Sequence, residues 1–330
     1  MELRFQCTAI VNEESPMNSC LITGAGGFIG SHLSELMVEK GWAVHGTVHR
    51  SSQKSWYLPD KVCVLKTDIR DALLTRALVA EVKPDVIFHL ASQTYIQASW
   101  ENPEDTLATN ILGTLNLLEA VRNADLNPIV IVAGSSAEYG SVGSCEGLIS
   151  EEQAFRPGSP YAVSKIGEDM LAYSYWRRHG LRIIRVRPFA LIGPRKLGDA
   201  VSDFARGIVR VEQGKADCLS VGNLDSIRDF IDVRDGAKAL ALLAESGQSG
   251  EVYNICAGEG RALKEVVDEL VAASNGPVTI VADPKRMRPS DDSVLVGDNR
   301  KLRDIGWEPQ ITLRQTLIDT LAFWRSASLC

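Results

Sequence analysis

The sequence predicts an α/β protein built on a doubly wound (Rossmann) parallel sheet, with a smaller mixed α/β substrate-binding region at its C-terminal side. Three observations carry that prediction. Short apolar runs such as Val86-Ile87-Phe88 and Ile129-Val130-Ile131-Val132 alternate with amphipathic stretches of helical length. The first run ends in a glycine turn, Thr23-Gly24-Ala25-Gly26-Gly27-Phe28-Ile29-Gly30. After Pro188 the elements shorten and mix. Strands apolar on both faces and separated by helices belong to parallel sheets covered on both sides.

In order, strands are expected at 20–23, 43–48, 62–66, 85–90, 128–133 and 181–187. Helices are expected at 28–40, where Gly41 is the stop signal, and at 71–82, 103–123 and 161–178. Beyond Pro188 the pattern gives helices at 199–213, 233–246, 262–274 and 311–326, with strands near Leu219 and at 251–255 and 278–281. This divides the chain into a dinucleotide-binding domain at 18–188 and a substrate-binding region at 189–330. Helix 233–246 and strand 251–255 are candidates to return to the main sheet. Residues 1–17, which carry Glu2, Glu13 and Glu14 and no continuous apolar stretch, are expected to be a disordered extension rather than a signal peptide.

A chain of 330 residues, 45% apolar and 23% charged, is an ordinary soluble composition. The net charge of −7 gives no support for a nucleic-acid or anionic-membrane partner. No apolar run reaches the roughly 20 residues needed to span a bilayer. The seven cysteines are scattered, odd in number and without a C-x-x-C pair, which favours reduced thiols in a cytoplasmic protein over a disulfide frame or a zinc site.

Gly24, Gly27 and Gly30 form G-x-x-G-x-x-G between a strand and a helix. The first two let a pyrophosphate approach the backbone, and the third lets helix and strand pack closely. The helix N-terminus, from Phe28 and Ile29, would offer N–H groups to the phosphates. An NAD-selective site places an acid at the end of the second strand, about 20 residues on. Here Gly46-Thr47-Val48-His49-Arg50-Ser51-Ser52 has no carboxylate. Arg50 is suited to a 2′-phosphate, with Ser51 as a further donor, so the cofactor is expected to be NADP(H). A solvated surface arginine is the alternative. Asp68 and Ile69, after the third strand, are expected at the adenine, although Asp68 could equally cap a helix. Leu90, Ala91 and Ser92 end the fourth strand beside the cofactor. His89 reads more readily as a satisfied core histidine than as a catalytic one.

Tyr161 and Lys165 lie one helical turn apart on one face. A free phenol titrates near pH 10, about three units too high for acid–base work. A neighbouring ammonium and an oxidised nicotinamide should together bring Tyr161 down toward the working range, and Lys165 can hydrogen-bond the nicotinamide ribose. Ser135 and Ser136 follow the strand ending at Ala133, and a hydroxyl there can hold a reacting oxygen. Ser135, Tyr161 and Lys165 are therefore the expected catalytic set, and no metal is required.

With these residues the chain resembles the extended short-chain dehydrogenase/reductase family acting on nucleotide sugars. The matching pieces are the glycine turn at 23–30, Phe88–Ser92, Gly134–Gly140, Ser159–Lys165 and Arg187–Phe189, which includes Pro188 on the cofactor side. The segments 99–122, 221–235, 288–291 and 296–309 are similar to the GDP-mannose branch, which holds 4,6-dehydratases and 4-keto-sugar reductases. That resemblance implies a GDP-linked sugar substrate, contacts from Gln93, Tyr95, Ser135, Ser136, Glu138, Ala190, Arg195, Arg228 and Arg288, and a homodimer through helices 103–123 and 161–178. For Arg228 and Arg288 surface salt bridges remain the alternative. Ala190 and the run Gly193-Pro194-Arg195-Lys196 depart from the family's asparagine and G-P-G-Q. Dehydratases of this branch carry a glutamate two residues after the catalytic hydroxyl; here that residue is Ala137, and Glu138 lies one place later. The resemblance therefore implies reduction of the C4 keto group of GDP-4-keto-6-deoxymannose, with a 4,6-dehydratase or a 4-epimerase as alternatives.

Overall fold

The computed structural model describes residues 18–49, 57–140, 147–286 and 294–327. The expected extension at 1–17, and Arg50, Ser51 and Arg288, lie outside them. The strands are β1 Ser19–Thr23, β2 Ala43–Val48, β3 Cys63–Lys66, β4 Val86–His89, β5 Ile129–Ala133, β6 Ile183–Pro188, β7 Ala190–Ile192, β8 Leu219–Val221, β9 Ile227–Asp232, β10 Val252–Ile255, β11 Gly260–Ala262, β12 Ile280–Ala282 and β13 Val294–Leu295. The helices are α1 Phe28–Glu39, α2 Ala72–Val82, α3 Ile96–Glu101, α4 Pro103–Leu107, α5 Gly113–Asn123, α6 Pro160–His179, α7 Ala200–Glu212, α8 Val233–Ser246, α9 Leu263–Ala272, α10 Arg300–Arg303 and α11 Leu313–Ala327.

Two compact units result. The first comprises the residues up to Glu138, Pro157–Pro188 and Ala237–Tyr253. Its seven-stranded sheet has the order β10-β6-β5-β4-β1-β2-β3, and the pairs along β6-β5-β4-β1-β2-β3 are parallel. This is the expected doubly wound fold. The strand order reverses between β1 and β4, where such sheets open a ligand crevice at their carboxyl ends. One face of the sheet packs Leu21, Ile87, Val130 and Val132 against Leu78 and Val79 of α2 and Leu117, Leu118 and Val121 of α5. Asp71 starts α2 by accepting from the backbone N–H groups of Leu73 and Leu74. Ser159 caps α6 through Ala162 N, with Pro160 in the first turn and Gly180 closing the far end.

The stretch expected as one helix over 103–123 is α4, a π-helical turn at Ala108–Leu112, and α5. The buried Asn110 sits in that wider turn. Its amide grips both backbone groups of Gln93 and donates to Ser164 Oγ at 2.8 Å. A π turn of this kind inserts one residue into the helix and re-aims a side chain.

The second unit comprises Tyr139–Arg156, Phe189–Gly236 and the residues from Asn254 onward. Its sheet is centred on β9, which pairs with β7, β11 and β13. A core of Phe204, Ile208, Val267, Leu270, Leu317 and Leu321 joins α7, α9 and α11. The composition of β9, Ile-Arg-Asp-Phe-Ile-Asp, does not read as a strand. Its two acids are buried and satisfied: Asp229 accepts from the N–H groups of Ala257, Gly258 and Gly297, and Asp232 from Arg234 and Thr316. Cys20, Cys218 and Cys256 are free thiols, whereas Cys63 is disulfide-bonded, against the expectation of reduced cysteines throughout.

Two leucines on α2 test the facing of this core. Leu78 is fully buried and Leu73 is 74% exposed. Leu78→Ala should cost about 2–5 kcal/mol in urea unfolding, and Leu73→Ala less than about 0.5 kcal/mol. Equal effects would contradict the orientation of α2.

Candidate active site

The glycine turn is built so that no side chain fits in it. Gly24 has φ +72°, and a Cβ there would lie 2.8 Å from the Ala91 Cα. At Gly30 a Cβ would lie 2.3 Å from the Gly24 carbonyl. Gly27 precedes α1 and brings no capping side chain to the helix N-terminus. Thr23 joins this turn to β4: its Oγ1 accepts from Leu90 N and Ala91 N at 3.1 and 3.2 Å. These features fit a dinucleotide pyrophosphate, which needs a bare backbone concavity at a helix N-terminus.

His89 is completely buried between Thr23 Oγ1 at 2.8 Å and Thr114 Oγ1 at 3.0 Å, and burial drops its ring to about 3. It is a neutral core residue. Asp68 binds Arg70 through its side chain and backbone, and that guanidinium holds the carboxyl down at about 2. It is not a helix cap, because Asp71 fills that place. Ile69, expected at the adenine, is only 6% exposed, and its side chain lies against the position of Gly113.

Tyr161 and Lys165 meet on the inner face of α6. The Tyr161 phenol is hydrogen-bonded to Ser135. Lys165 Nζ donates to the Ala133 carbonyl at 2.9 Å and to Glu168 at 3.1 Å. Ser135 is half-buried; its Oγ accepts from Ala137 N and its N–H donates to Glu138 Oε1 at 2.6 Å. The structure thus brings Ser135, Tyr161 and Lys165 together at the carboxyl ends of β5 and β4. Burial pushes the Tyr161 phenol above its ordinary value, outweighing Lys165 and the Ser135 hydrogen bond, with Glu168 and Glu138 adding to the rise.

The remaining expected contacts divide. Pro188 ends β6 and is half-buried. Leu90, Ala91 and Ser92 are partly exposed, and Ser92 bonds Glu168. Tyr95 is exposed, whereas the Gln93 amide is committed to the Tyr95 backbone and to Thr106. Ser136 is 7% exposed in the 3-10 turn Ser136–Glu138. Glu138 has no exposed surface, and its carboxylate faces Ser135 N and Arg187, 3.2 Å away. In the second unit, Ala190 pairs with Phe230, and Arg228 lies between Arg261 and Leu295 on neighbouring strands with its Nη1 on the Ile227 carbonyl. Arg195, after β7, has φ +74°.

Two groups of functional interest escaped sequence reasoning. Glu168 lies three residues past Lys165, a spacing that itself signals a contact. Asp169 holds Arg185 at 2.7 Å and Arg187 at 3.0 Å, fixing α6 to β6.

The sequence model of the GDP-mannose 4,6 dehydratase family matches residues 21–320. GDP-6-deoxy-D-mannose reductase of Pseudomonas aeruginosa is 34% identical over 310 residues, covering 92% of this chain and 96% of that protein. A GDP-mannose 4,6-dehydratase of Vibrio cholerae is 29% identical, covering 92% of each chain. A solved structure of RMD from Pseudomonas aeruginosa complexed with NADPH matches with a TM-score of 0.81 at 31% identity, over 94% of this chain and 100% of that one. Thermus thermophilus UDP-glucose 4-epimerase in complex with NAD matches with a TM-score of 0.85 at 29% identity, over 94% and 99%. The chain belongs to the GDP-mannose 4,6-dehydratase family and is an enzyme of the extended short-chain dehydrogenase/reductase type.

Proposed function

We propose that this enzyme uses NADPH to reduce the C4 keto group of GDP-4-keto-6-deoxy-D-mannose, giving GDP-6-deoxymannose (GDP-D-rhamnose). The observation that carries this reading is the turn after β5. Ala137 stands where a dehydratase needs its glutamate, and the neighbouring Glu138 is turned into the core onto Arg187. Elimination needs a carboxylate to take the C5 proton, and this turn offers none. Reduction needs only a proton donor and a donor to the carbonyl oxygen. The 34% identical reductase supports the same side.

Gly24, Gly27, Phe28, Ile29 and Gly30 would hold the pyrophosphate on backbone N–H groups. Arg50 and Ser51 would meet the 2′-phosphate, Asp68 and the Ile69 backbone the adenine, and Leu90, Ala91, Ser92 and Pro188 the nicotinamide half. When bound, NADPH supplies the hydride. Ser135 donates a hydrogen bond to the C4 oxygen, and Tyr161 protonates it as charge develops. A phenol held above its ordinary pKa is protonated at neutral pH, as a proton donor must be. Lys165 orients the nicotinamide ribose and balances the phenolate left behind. Tyr95, Arg195, Arg228 and Arg288 are the remaining candidates for sugar and diphosphate contacts, beside the backbone at Ala190.

The homodimer is proposed from an apolar face on the first unit. Val163, Met170 and Tyr173 recur at helical spacing on the exposed side of α6, with Leu112 also exposed on the π turn. Met170→Glu should convert a dimer to a monomer in light scattering; an unchanged mass would exclude this face.

NADPH absorbance tests the reaction. Consumption stoichiometric with the 4-keto sugar is expected; turnover of GDP-mannose without net consumption would mean a dehydratase. Tyr161→Phe should lower kcat at least about 100-fold while NADPH still binds. Arg50→Ala should lower the preference for NADPH over NADH about tenfold or more, as expected for losing a charge-assisted phosphate contact. An unchanged preference would remove Arg50 from the cofactor site.

A further inference from the structure

The catalytic pair sits in an unusual electrostatic setting. Lys165 is 3% exposed and Glu168 1% exposed. Glu138 and Asp169 are equally enclosed, and so are Arg185 and Arg187. On α6, Tyr161 is faced by Lys165 and Glu168, with Asp169 beyond. From the turn after β5 come Ser135 and Glu138. From β6 come Arg187, which lies 3.2 Å from Glu138 and 3.0 Å from Asp169, and Arg185, 2.7 Å from Asp169. From β4 comes His89, which is neutral. Three cations thus face three carboxylates in one buried cluster, and a phenolate at Tyr161 would be its surplus anion.

We propose that Glu168, assisted by Glu138, is a positioning residue that keeps Tyr161 protonated for reduction, by anchoring the Lys165 ammonium and opposing negative charge on the phenol. The inference rests on the reductase reading and concerns the direction in which its acid is poised. Glu168 shares the ammonium with the Ala133 carbonyl, so Lys165 does not give its whole field to the phenol. Glu138 holds the backbone of Ser135, whose side chain bonds the phenol. Burial pushes both carboxyls up, Glu168 to about 7 and Glu138 to about 8. Each therefore becomes charged as the pH rises, below the range in which a phenol titrates. Their opposition to the phenolate is greatest where Tyr161 would otherwise lose its proton. The ammonium lowers the cost of the phenolate left after proton transfer, and the carboxylates favour its reprotonation.

The sign follows directly. Reduction requires the neutral phenol, so activity falls as pH rises through the Tyr161 pKa. While Lys165, still held by the Ala133 carbonyl, keeps its proton, removing a nearby negative charge lowers that pKa and brings the alkaline limb to lower pH. Two measurements on the full-length protein saturated with NADPH test this. One is the pH profile of NADPH-dependent reduction of the 4-keto sugar. The other is the near-ultraviolet titration of the phenolate step that is absent from Tyr161→Phe. In Glu168→Gln both should move down by about one unit, a tenfold lower rate on the limb, as for loss of a single close charge. Glu168→Asp, which restores the charge, should return them toward wild type. Glu138→Gln should shift them in the same direction and serves if Glu168→Gln does not fold. A titration step unmoved by removal of the carboxylate, or moved equally by Gln and Asp at position 168, overturns the proposal. The phenolate titration needs no substrate. Failure of the wild type to consume NADPH with the 4-keto sugar therefore defeats the reductase reading and leaves the titration to judge Glu168.

Discussion

The active edge of the first unit depends on burying one ammonium group. Lys165 has almost no contact with water, so its charge must be compensated within the protein. It is compensated by the carbonyl at the end of β5 and by Glu168 on its own helix. Neither is optional, because removing one partner of a buried pair leaves the other charge uncompensated at a cost of about 3–5 kcal/mol. The same requirement spreads outward. Glu168 and Asp169 are adjacent on α6, and Asp169 is held by two arginines of β6, one of which also meets Glu138. Satisfying Lys165 therefore docks α6 on two strands at once and sets Tyr161 over the end of β5.

The cofactor side is held by uncharged groups, and the physical reason differs. A diphosphate needs open backbone N–H groups and little else, so the protein removes side chains at Gly24 and Gly30 and leaves α1 without a side-chain cap. Rigidity comes from beneath. Thr23 accepts from the loop after β4 and contacts His89, whose other nitrogen reaches Thr114 of α5. That chain of bonds fixes the loop carrying Leu90, Ala91 and Ser92 relative to the glycine turn. Ser92 then reaches Glu168, so the uncharged frame and the ionic one meet at a single side chain.

Much of this was legible in the sequence, for reasons that are physical. Strands such as Ile129–Ala133 are buried on both faces and therefore uniformly apolar, and Gly24, Gly27 and Gly30 are dictated by steric exclusion, so each announces itself. Asp71, Ser159 and Pro160 are capping residues and mark α2 and α6 within a residue or two. What failed was wherever polar groups are buried. The strand β9 was missed because Asp229 and Asp232 look like loop residues until their long-range partners are known. The π turn was missed because Asn110 acts through Gln93 and Ser164, 17 and 54 residues away. The rise of the Tyr161 phenol was missed because spacing reveals Lys165 as a neighbour but does not reveal the depth of burial.

The position of Glu138 joins the two halves of the chemistry. In the 3-10 turn Ser136–Glu138 a shift of one residue rotates a side chain by about 120°. A glutamate at 137 would belong to the half-exposed side of the turn, where Ala137 is, whereas Glu138 belongs to the side that meets Arg187. Once there it is tied to Arg187 and to the Ser135 backbone, and withdrawing it would release that backbone and leave Arg187 to Asp169 alone. The same carboxyl, pushed up to about 8 by burial, adds negative charge beside Tyr161 only above neutral pH, where it favours the protonated phenol. On the proposed reductase reading, a single displacement thus removes the carboxylate that dehydration would use and helps to keep the Tyr161 phenol protonated as the pH rises. Both consequences follow from how the turn after β5 packs onto β6, and exchanging Ala137 alone would leave the second in place.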